Sequence, residues 1–387
     1  MIRVLHMARM PDVTAPATLR VPPRIDESQV SKPLQDLFAS WRDSLKEPFR
    51  GITVGGEVER NLFALRPGGD IAPIVEAAKR FLASLSIDER KRVSFPLHSE
   101  TWRHWSNIHR NLMRHGLCLV ELSDQQRELV YQFLEESLGT RAYDTARKAM
   151  KLNQTLAEMT GLPLEFGEFF YWISFFGTPS LTEAWGWQLD GHHCNINCLV
   201  AGGQIVLSPM LLGSEPVTAE SGVYKGMTVL REEEAQGWAF MEALTLGQRK
   251  KATIGMELPF DGYASGFKDN IVVPYEGLPA REMTASQREQ LTKLISLYTE
   301  RLPHGHAQAR LDEVLTHLNR TIFAWIGEFD PVSPFYYRIH NPVIFIEFYH
   351  QPGVALPNTG YTRAHAHAMV RTPNGNDYGK ALLQLIG

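Results

Sequence analysis

Two histidine-bearing segments concentrate the residues that could bind a metal or move protons. The first reads WGWQLDGHHCNIN from Trp185 to Asn197, and the second reads RAHAHAMVRTPNGNDYG from Arg363 to Gly379. Imidazole and carboxylate groups in sets of three or four are ligands that zinc and non-haem iron accept. We therefore expect the function to reside where these two segments meet.

The second segment predicts two histidines on one face of a strand. Alternate side chains of an extended backbone share a face, so His365, His367 and Arg371 point the same way while the intervening alanines face the core. Two imidazoles at this spacing emerge roughly 7 Å apart and can lean onto one ion. A third ligand must come from elsewhere in the chain. The candidates are Asp190, His192, His193, Glu347 and His350.

The adjacent histidines of the first segment cannot both serve on an unbent strand. If residues 189–196 are extended, Asp190 and His192 face one side and His193 faces the other. Gly191 offers a place for a local bend. Which of the two histidines is the ligand stays open at this point.

Further polar and aromatic residues complete the predicted site. The predicted catalytic groups are Glu347, Arg371, Asp377 and Asp190, and the predicted substrate-binding residues are Arg338, Trp187 and His340. Either arginine could grip a carboxylate with two hydrogen bonds, and Asp377 lies close enough in the chain to orient Arg371. The alternative is structural: the arginines pair with Glu347 or Asp377, the histidines form a hydrogen-bonded core, and the tryptophan belongs to an aromatic core.

Composition excludes several classes of partner. The 387 residues carry 39 basic and 43 acidic side chains, well mixed and with a formal charge of −4, so neither nucleic acid nor an anionic membrane surface is expected. Cys118, Cys194 and Cys198 lack a CxxC spacing, which favours reduced thiols in a cytoplasmic setting. No apolar run has the length of a secretion signal or of a membrane span.

Apolar periodicity predicts a helix-rich first half. Residues recur at three- and four-residue steps over 31–45, 70–85, 122–139 and 143–159, and again over 232–246, 286–302 and 307–318. Ser123 and Asp124 are candidate N-caps, and Gly139 is a candidate stop. The first thirty residues, with four prolines and few large apolar groups, are expected to form a loosely ordered arm.

Aromatic and β-branched runs predict strands in the second half. These runs cover 169–176, 185–200, 204–207, 336–349 and 364–370, and a glycine-bearing loop at 201–204 suits a hairpin. The order predicts an α+β fold in which a helix-rich N-terminal half packs on an antiparallel sheet formed mainly by the C-terminal half. We expect one domain over 31–387, with a helical sub-region 31–160 and a sheet-containing sub-region 161–387.

Longer blocks of the chain resemble a known family. The segments FGTPSLTEAWGWQLDGHHCNIN, PMLLGSEP, YYRIHNPVIFIEF and HAHAMVRTPNGNDYG look like signature segments of the domain-of-unknown-function family 3500, with weaker similarity back to about residue 80. The resemblance implies no settled reaction. It does imply that the two histidine pairs, Glu347, Arg371 and Asp377 occupy motif positions.

Two kinds of function follow from these observations. The first is a metal-dependent enzyme, with zinc-assisted hydrolysis of a small anionic organic substrate favoured over iron or copper oxygenase or oxidase chemistry, because zinc with a carboxylate base needs the fewest additional groups. A facial triad of two histidines and one carboxylate would reverse that order. The second is a non-enzymatic binding or assembly protein with a structural His, Glu and Arg core. A homo-oligomer is compatible with either function.

Overall fold

The computed structural model describes residues 19–22, 24, 26–108, 114–358 and 360–386. Most of the predicted N-terminal arm, residues 1–18, 23 and 25, lies outside the described residues. Among the described residues, no helix is both long enough and apolar enough to cross a membrane.

The predicted helices are present close to their expected bounds. Ser123 caps its helix as expected, because its side chain accepts a hydrogen bond from the backbone N–H of Gln126. The Gln126 side chain in turn accepts a hydrogen bond from the backbone N–H of Ser123. Gly139 instead stands at the N-cap of the following helix. The helices are α1 (Lys32–Ser44), α2 (Ala72–Ala83), α3 (Ile87–Val93), α4 (Asp124–Ser137), α5 (Thr140–Thr160), α6 (Arg231–Glu242), α7 (Leu246–Ala252), α8 (Ala285–Thr299), α9 (His304–Thr316) and α10 (Lys380–Ile386).

The strands dominate the second half of the chain. They are β1 (Ile52–Thr53), β2 (Ser94–Phe95), β3 (Leu117–Cys118), β4 (Tyr171–Phe176), β5 (Trp185–Gly191), β6 (Cys194–Ala201), β7 (Gln204–Ser214), β8 (Thr253–Gly255), β9 (Ile271–Val272), β10 (Leu278–Pro279), β11 (Ile322–Ile326), β12 (Tyr336–His340), β13 (Phe345–Pro352) and β14 (Tyr361–Arg371).

Twelve of these strands form one mostly antiparallel sheet. Its order is β10-β11-β12-β13-β14-β7-β6-β5-β4-β2, with β3 also paired to β4 and β8 to β11, while β1 and β9 form a separate pair. The α+β prediction is confirmed, and so is the hairpin at 201–204, where Ala201 pairs with Gln204.

Helices cover one face of the large sheet. Apolar residues of α2, α4 and α5 pack on β4 to β7, and those of α6 and α8 pack on β11 to β14. Ala366 and Ala368 belong to this helix-covered face, as the alternation of β14 predicts. The neighbouring histidines of β14 are therefore directed to the opposite face.

Irregular segments cover the opposite face. Trp102 and Trp105 from the connection after β2 pack there with Met369 of β14 and with Tyr378 beyond it. The indole N–H of Trp105 donates to the Tyr378 hydroxyl at 2.9 Å. Helix α10 also packs on this face, with Leu382 against Leu199 of β6 and Val206 of β7.

Two predicted strands are each divided in two. The run 185–200 is wrong as a single strand, because the chain reverses at His192 and His193 between β5 and β6, and His193 has a positive φ of 101°. The run 336–349 is likewise two strands, β12 and β13, joined by a turn in which the Asn341 side chain accepts the backbone N–H groups of Val343 and Ile344. In both places turn-forming residues, Asp190-Gly191 and Asn341-Pro342, accompany the reversal, but the apolar and aromatic residues on either side made each run look like one strand.

Candidate metal centre

Three buried histidines converge on the face of the sheet opposite helices α2, α4, α5, α6 and α8. The Nε2 atom of His365 lies 3.2 Å from Nε2 of His193 and 3.2 Å from Nε2 of His367. One ring nitrogen of each residue lies within 4.8 Å of the other two. Three of the four histidines predicted as metal ligands are thus brought together from segments about 170 residues apart.

Neighbouring strands create this convergence. His365 and His367 share one face of β14, as strand parity predicts, and His193 lies in the two-residue loop between β5 and β6. Strand β7 pairs with both β6 and β14, and the backbone N–H of its Gly213 donates to the His193 carbonyl at 2.8 Å. The Tyr171 hydroxyl donates to the His192 carbonyl at 2.7 Å, which fixes the other end of the loop.

Gly213 makes room for the His367 ring. The two residues are directly paired across β7 and β14, and a Cβ atom at Gly213 would lie 2.2 Å from Cδ2 of His367. On its other side the ring meets Tyr349 edge-on, with centroids 5.0 Å apart. His367 Nδ1 has no hydrogen-bond partner among the described residues. Packing therefore holds this imidazole in place.

The hydrogen bond at the far side of His365 defines its tautomer. Its Nδ1 lies 2.8 Å from the carbonyl oxygen of Pro352, which can only accept, so Nδ1 carries the proton. In the neutral ring Nε2 then offers one lone pair. That single lone pair faces two other Nε2 atoms at 3.2 Å and can accept a hydrogen bond from only one of them. A cation between the rings would accept lone pairs from all three.

The spacing of the nitrogens fits a tetrahedral ion. Two ligands at the usual zinc–nitrogen distance of about 2.0–2.1 Å lie about 3.3 Å apart when the geometry is tetrahedral. The observed Nε2 separations of 3.2 Å match this value. Three histidines would leave the fourth position of the ion open.

Burial favours the neutral, ligating form of these rings. It lowers the pKa of His365, an effect that the carboxylate of Glu215 partly opposes. Burial also lowers the pKa of His367 far below its usual value, and the charges that His365 and His192 could carry act in the same direction.

His192 stands beside the three-histidine cluster. Its ring stacks on that of His193 with centroids 3.8 Å apart, and its Nδ1 lies 2.8 Å from Oδ1 of Asn153. The Asn153 amide nitrogen donates to the Gly167 carbonyl at 2.9 Å, so the amide oxygen faces the imidazole and the imidazole Nδ1 donates to it. Sequence reasoning missed Asn153, which sits on α5 with no motif to mark it.

Within the described part of the chain, no carboxylate joins the cluster of three ligand atoms. Glu215 approaches His365 from the far side, with Oε2 3.9 Å from Nδ1. Its two oxygens accept the backbone N–H groups of Val354, Ala355 and Leu356 at 3.0–3.1 Å. Glu215 therefore orders the loop that follows β13. The last residue of β13 is Pro352, whose carbonyl accepts the hydrogen bond from His365.

Glu347 lies in a separate buried network. Its carboxylate accepts the Tyr336 hydroxyl at 2.7 Å and the backbone N–H groups of Tyr263 and Ala264 at 2.9 Å each. Burial raises its pKa, and these three hydrogen bonds oppose the rise. Arg338 pairs with Glu347 across β12 and β13, and its guanidinium reaches 3.6 Å from Glu276.

Arg371 and Asp377 form a buried ion pair, as their closeness in sequence predicts. The Arg371 Nε donates to Asp377 at 2.8 Å, and a terminal nitrogen donates to the Ala264 carbonyl at 2.7 Å. The other Asp377 oxygen accepts from the Ser208 hydroxyl at 2.6 Å and the Thr372 N–H at 2.8 Å. The Arg371 guanidinium and the Asp377 carboxylate thus form hydrogen bonds with other groups of the protein.

The remaining predicted residues lie apart from the three histidines. Asp190 accepts the backbone N–H of Ser106 at 3.1 Å and thereby holds the connection after β2. Trp187 packs edge-on against Phe133 in the helix-covered core. His340 is buried between aromatic rings, and burial together with the charge of Arg338 lowers its pKa to about 3. His350, a candidate ligand, instead faces Glu234 at 3.2 Å.

A cavity of about 710 Å³ opens onto the histidines. His192, His193, His365 and His367 line one side of it. Other lining residues come from α1 and from residues 260–268, neither of which was predicted to belong to the site. The volume suits a small organic molecule.

Comparison with protein families gives a match over most of the chain. A family model described as a protein of unknown function, DUF3500, matches residues 68–380. The chain belongs to the DUF3500 family. No curated protein and no solved structure matches the chain.

The residues matched by the DUF3500 model include the three histidines but not all of the cavity lining. The match includes His193, His365 and His367 and the strands that carry them, whereas α1 precedes its first residue. The cavity lining therefore combines the histidines, from within the matched region, with residues of α1, from outside it.

Proposed function

We propose that this chain is a metal-dependent hydrolase whose ion is zinc, held by His193, His365 and His367. The observation that carries the proposal is the convergence of three buried histidines at a cavity, with Nε2 of His365 3.2 Å from Nε2 of each of the other two and all three ligand atoms within 4.8 Å of one another. A zinc ion with three histidine ligands supplies an activated water at its open position and polarises a substrate carbonyl.

His192 is proposed as the group that moves a proton beside the ion. Its Nδ1 donates to Asn153, so in the neutral ring the lone pair that can take up a proton is on Nε2. The ring lines the same cavity and stacks on His193, which places it next to the ligand set. The carboxylate base expected from the sequence is not needed in this arrangement.

The alternative metal chemistry has less support. An oxygen-activating iron site of the facial-triad type needs two histidines and one carboxylate. The described ligand cluster consists of three histidines, and the nearby Glu215 approaches the outer nitrogen of His365. Copper remains an outcome that metal analysis would reveal.

Metal analysis of tag-free protein tests the proposal. We expect about one zinc ion per chain in the wild-type protein by inductively coupled plasma mass spectrometry. His193→Gln should lower the metal content by at least tenfold at equal free zinc, because one of three ligands is lost. His192→Gln is the matched control and should retain the metal while losing activity in a hydrolase screen.

Two outcomes would contradict the proposal. One is wild-type protein that binds no stoichiometric metal after dialysis against zinc, which would favour a structural histidine core in a binding or assembly protein. The other is equal metal loss in His192→Gln and His193→Gln. Circular dichroism of each variant shows whether the fold is retained.

A further inference from the structure

Part of the cavity lining is aromatic. Trp41 of α1 stacks on Phe267 with centroids 4.4 Å apart and ring planes within 5° of parallel, and Phe38 of α1 packs next to Trp41 with centroids 5.4 Å apart. All three line the cavity. An aromatic ligand gains about 0.5–1.5 kcal/mol per ring contact beyond the area it buries.

The backbone at Phe267 is held in a costly conformation. Its φ is 63°, in the left-handed region that bulky residues avoid. The segment is attached to the sheet at Ala264, three residues before Phe267. Glu347 accepts a hydrogen bond from the Ala264 N–H, and Arg371 donates one to the Ala264 carbonyl. Such strain is retained where surrounding structure imposes it, and here it directs an aromatic ring into the cavity.

Apolar side chains also stand exposed at the opening of the cavity. Phe260 is 68% exposed, Val354 58% and Leu37 42%, and all three line the cavity. A cluster of exposed large apolar groups around a concave site is typical of a surface that buries an apolar ligand.

The cavity offers little to an anionic group away from the histidines. Lys268 is the one lysine or arginine among its described lining residues, and its Nζ donates to the Gly262 carbonyl at 2.6 Å and lies 3.6 Å from Asp261. Arg338 and Arg371, expected from the sequence to anchor an anion, do not line it.

We infer that the substrate of the proposed hydrolase has an aromatic body without an anionic group, of the size of one or two fused rings, that lies against Trp41, Phe267 and Phe260. Its hydrolysable acyl group reaches the three histidines. In the reaction the oxygen of water bonds to the acyl carbon, the bond to the alcohol oxygen or amine nitrogen breaks, and the departing atom takes a proton. This inference rests on the proposed function for the acyl group but not for the aromatic body.

Three probes separate the body from the reacting end. 2-Naphthohydroxamic acid carries an aromatic body and a zinc-binding group, acetohydroxamic acid carries the zinc-binding group alone, and 2-naphthamide carries the body with a weakly ligating amide. We expect the naphthyl hydroxamate to bind the zinc-loaded protein at least about tenfold more tightly than acetohydroxamate by calorimetry. Trp41→Ala should remove most of this preference without changing the zinc content.

A second variant protects the test against misfolding. Phe260 is largely exposed, so Phe260→Ala should leave the fold intact and still weaken 2-naphthohydroxamate severalfold. Ile87→Ala is the control, because Ile87 is 88% exposed and does not line the cavity. Equal affinity for the two hydroxamates, or a naphthyl preference that survives both substitutions, would overturn the inference.

The same probes distinguish this inference from the proposed function. If His193→Gln abolishes acetohydroxamate binding and leaves 2-naphthamide binding unchanged, both stand. If no metal binds but 2-naphthamide still needs Trp41, the aromatic site stands and the hydrolase fails. If acetohydroxamate binds through the metal and the naphthyl group adds nothing, the hydrolase stands and the aromatic body is wrong.

Discussion

Gly213 sets the space available to the His367 ring at the floor of the cavity. An added methyl group would lie 2.2 Å from His367 Cδ2, so either the ring or strand β7 must move. We predict that Gly213→Ala destabilises the protein by about 1–3 kcal/mol and weakens zinc binding at least tenfold. Urea unfolding and a zinc titration with a chromophoric chelator measure the two effects.

Gly255 provides the control for this substitution. It is also a strand residue, and a Cβ atom there would meet only Ile326 at an ordinary 3.7 Å. Gly255→Ala should therefore leave zinc affinity unchanged. Wild-type zinc affinity in Gly213→Ala would show that the His367 ring is not confined as described.

His340 gives the fold a dependence on pH that is independent of the histidine cluster. Its pKa is about 3 in the folded chain, against about 6.5 when it is unfolded. Between pH 6.5 and pH 3, His340 is therefore protonated in the unfolded chain but neutral in the folded chain. The free energy of unfolding falls as the pH drops through this range. At pH 5 this residue should cost about 2 kcal/mol of unfolding free energy.

His340→Phe should flatten that dependence. The substituted ring keeps the contacts with Tyr275 and Phe345 and cannot be protonated. Urea unfolding at pH 7.5 and pH 5.0 should show a smaller loss in the variant than in the wild type, by about 2 kcal/mol. The same loss in both proteins would mean that His340 is protonated in the folded chain.

Individual site residues were predictable where strand parity applied. His365 and His367 share a face of β14 because alternation requires it, whatever the rest of the chain does. The choice between His192 and His193 depended on a two-residue reversal. The Asp190-Gly191 pair directly precedes that reversal, but the two loop residues are the histidines themselves and not the Asn-Gly or Asp-Gly pair that usually marks such hairpins. Asn153 was beyond reach, because only the fold brings α5 to the loop.

At the scale of elements, buried charges fasten the loop that forms one cavity wall. Glu347, Arg371 and Tyr349 bind residues 261–264 through their side chains. The groups predicted as catalytic thus position a segment that lines the cavity. Alternation on β14 placed Arg371 on the face of His365 and His367 but could not show that residues 261–264 would occupy its hydrogen bonds.

Replacing Glu347 tests this positioning role. Glu347→Gln keeps the size of the side chain but turns one acceptor into a donor facing backbone N–H groups. We predict a loss of about 2–3 kcal/mol in unfolding free energy and faster hydrogen exchange at Tyr263 and Ala264, with zinc content unchanged. The exposed Glu289→Gln serves as the control.

A catalytic role would give a different pattern for Glu347→Gln. Activity would disappear while stability and exchange rates stayed at wild-type values. That result would contradict the assignment of this carboxylate to the support of the loop.

At the scale of the whole molecule, the helical and sheet-containing sub-regions share one core. Residues of α2, α4 and α5 pack against residues of β4 to β7 in a continuous cluster. We predict that chemical unfolding is a single transition seen identically by circular dichroism and tryptophan fluorescence. Two separated transitions would show that residues 31–160 and 161–387 are independent units.

The fold class followed from the sequence because periodicity changes along the chain. Three-to-four-residue spacing gave α2, α4, α5, α8 and α9, and aromatic and β-branched runs gave the long strands. The order of strands could not be read in this way, since pairing of β7 with β14 joins segments about 150 residues apart. That one pairing is what builds the histidine cluster.

The proposed function requires a zinc ion at the centre of the three histidines. Crystals of zinc-loaded protein measured on both sides of the zinc absorption edge should give one strong anomalous peak about 2.0–2.1 Å from the Nε2 atoms of His193, His365 and His367. The same measurement on His192→Gln should retain the peak. No peak at this position in the zinc-loaded wild-type protein, or a peak ligated by His192 instead of His193, would contradict the central claim.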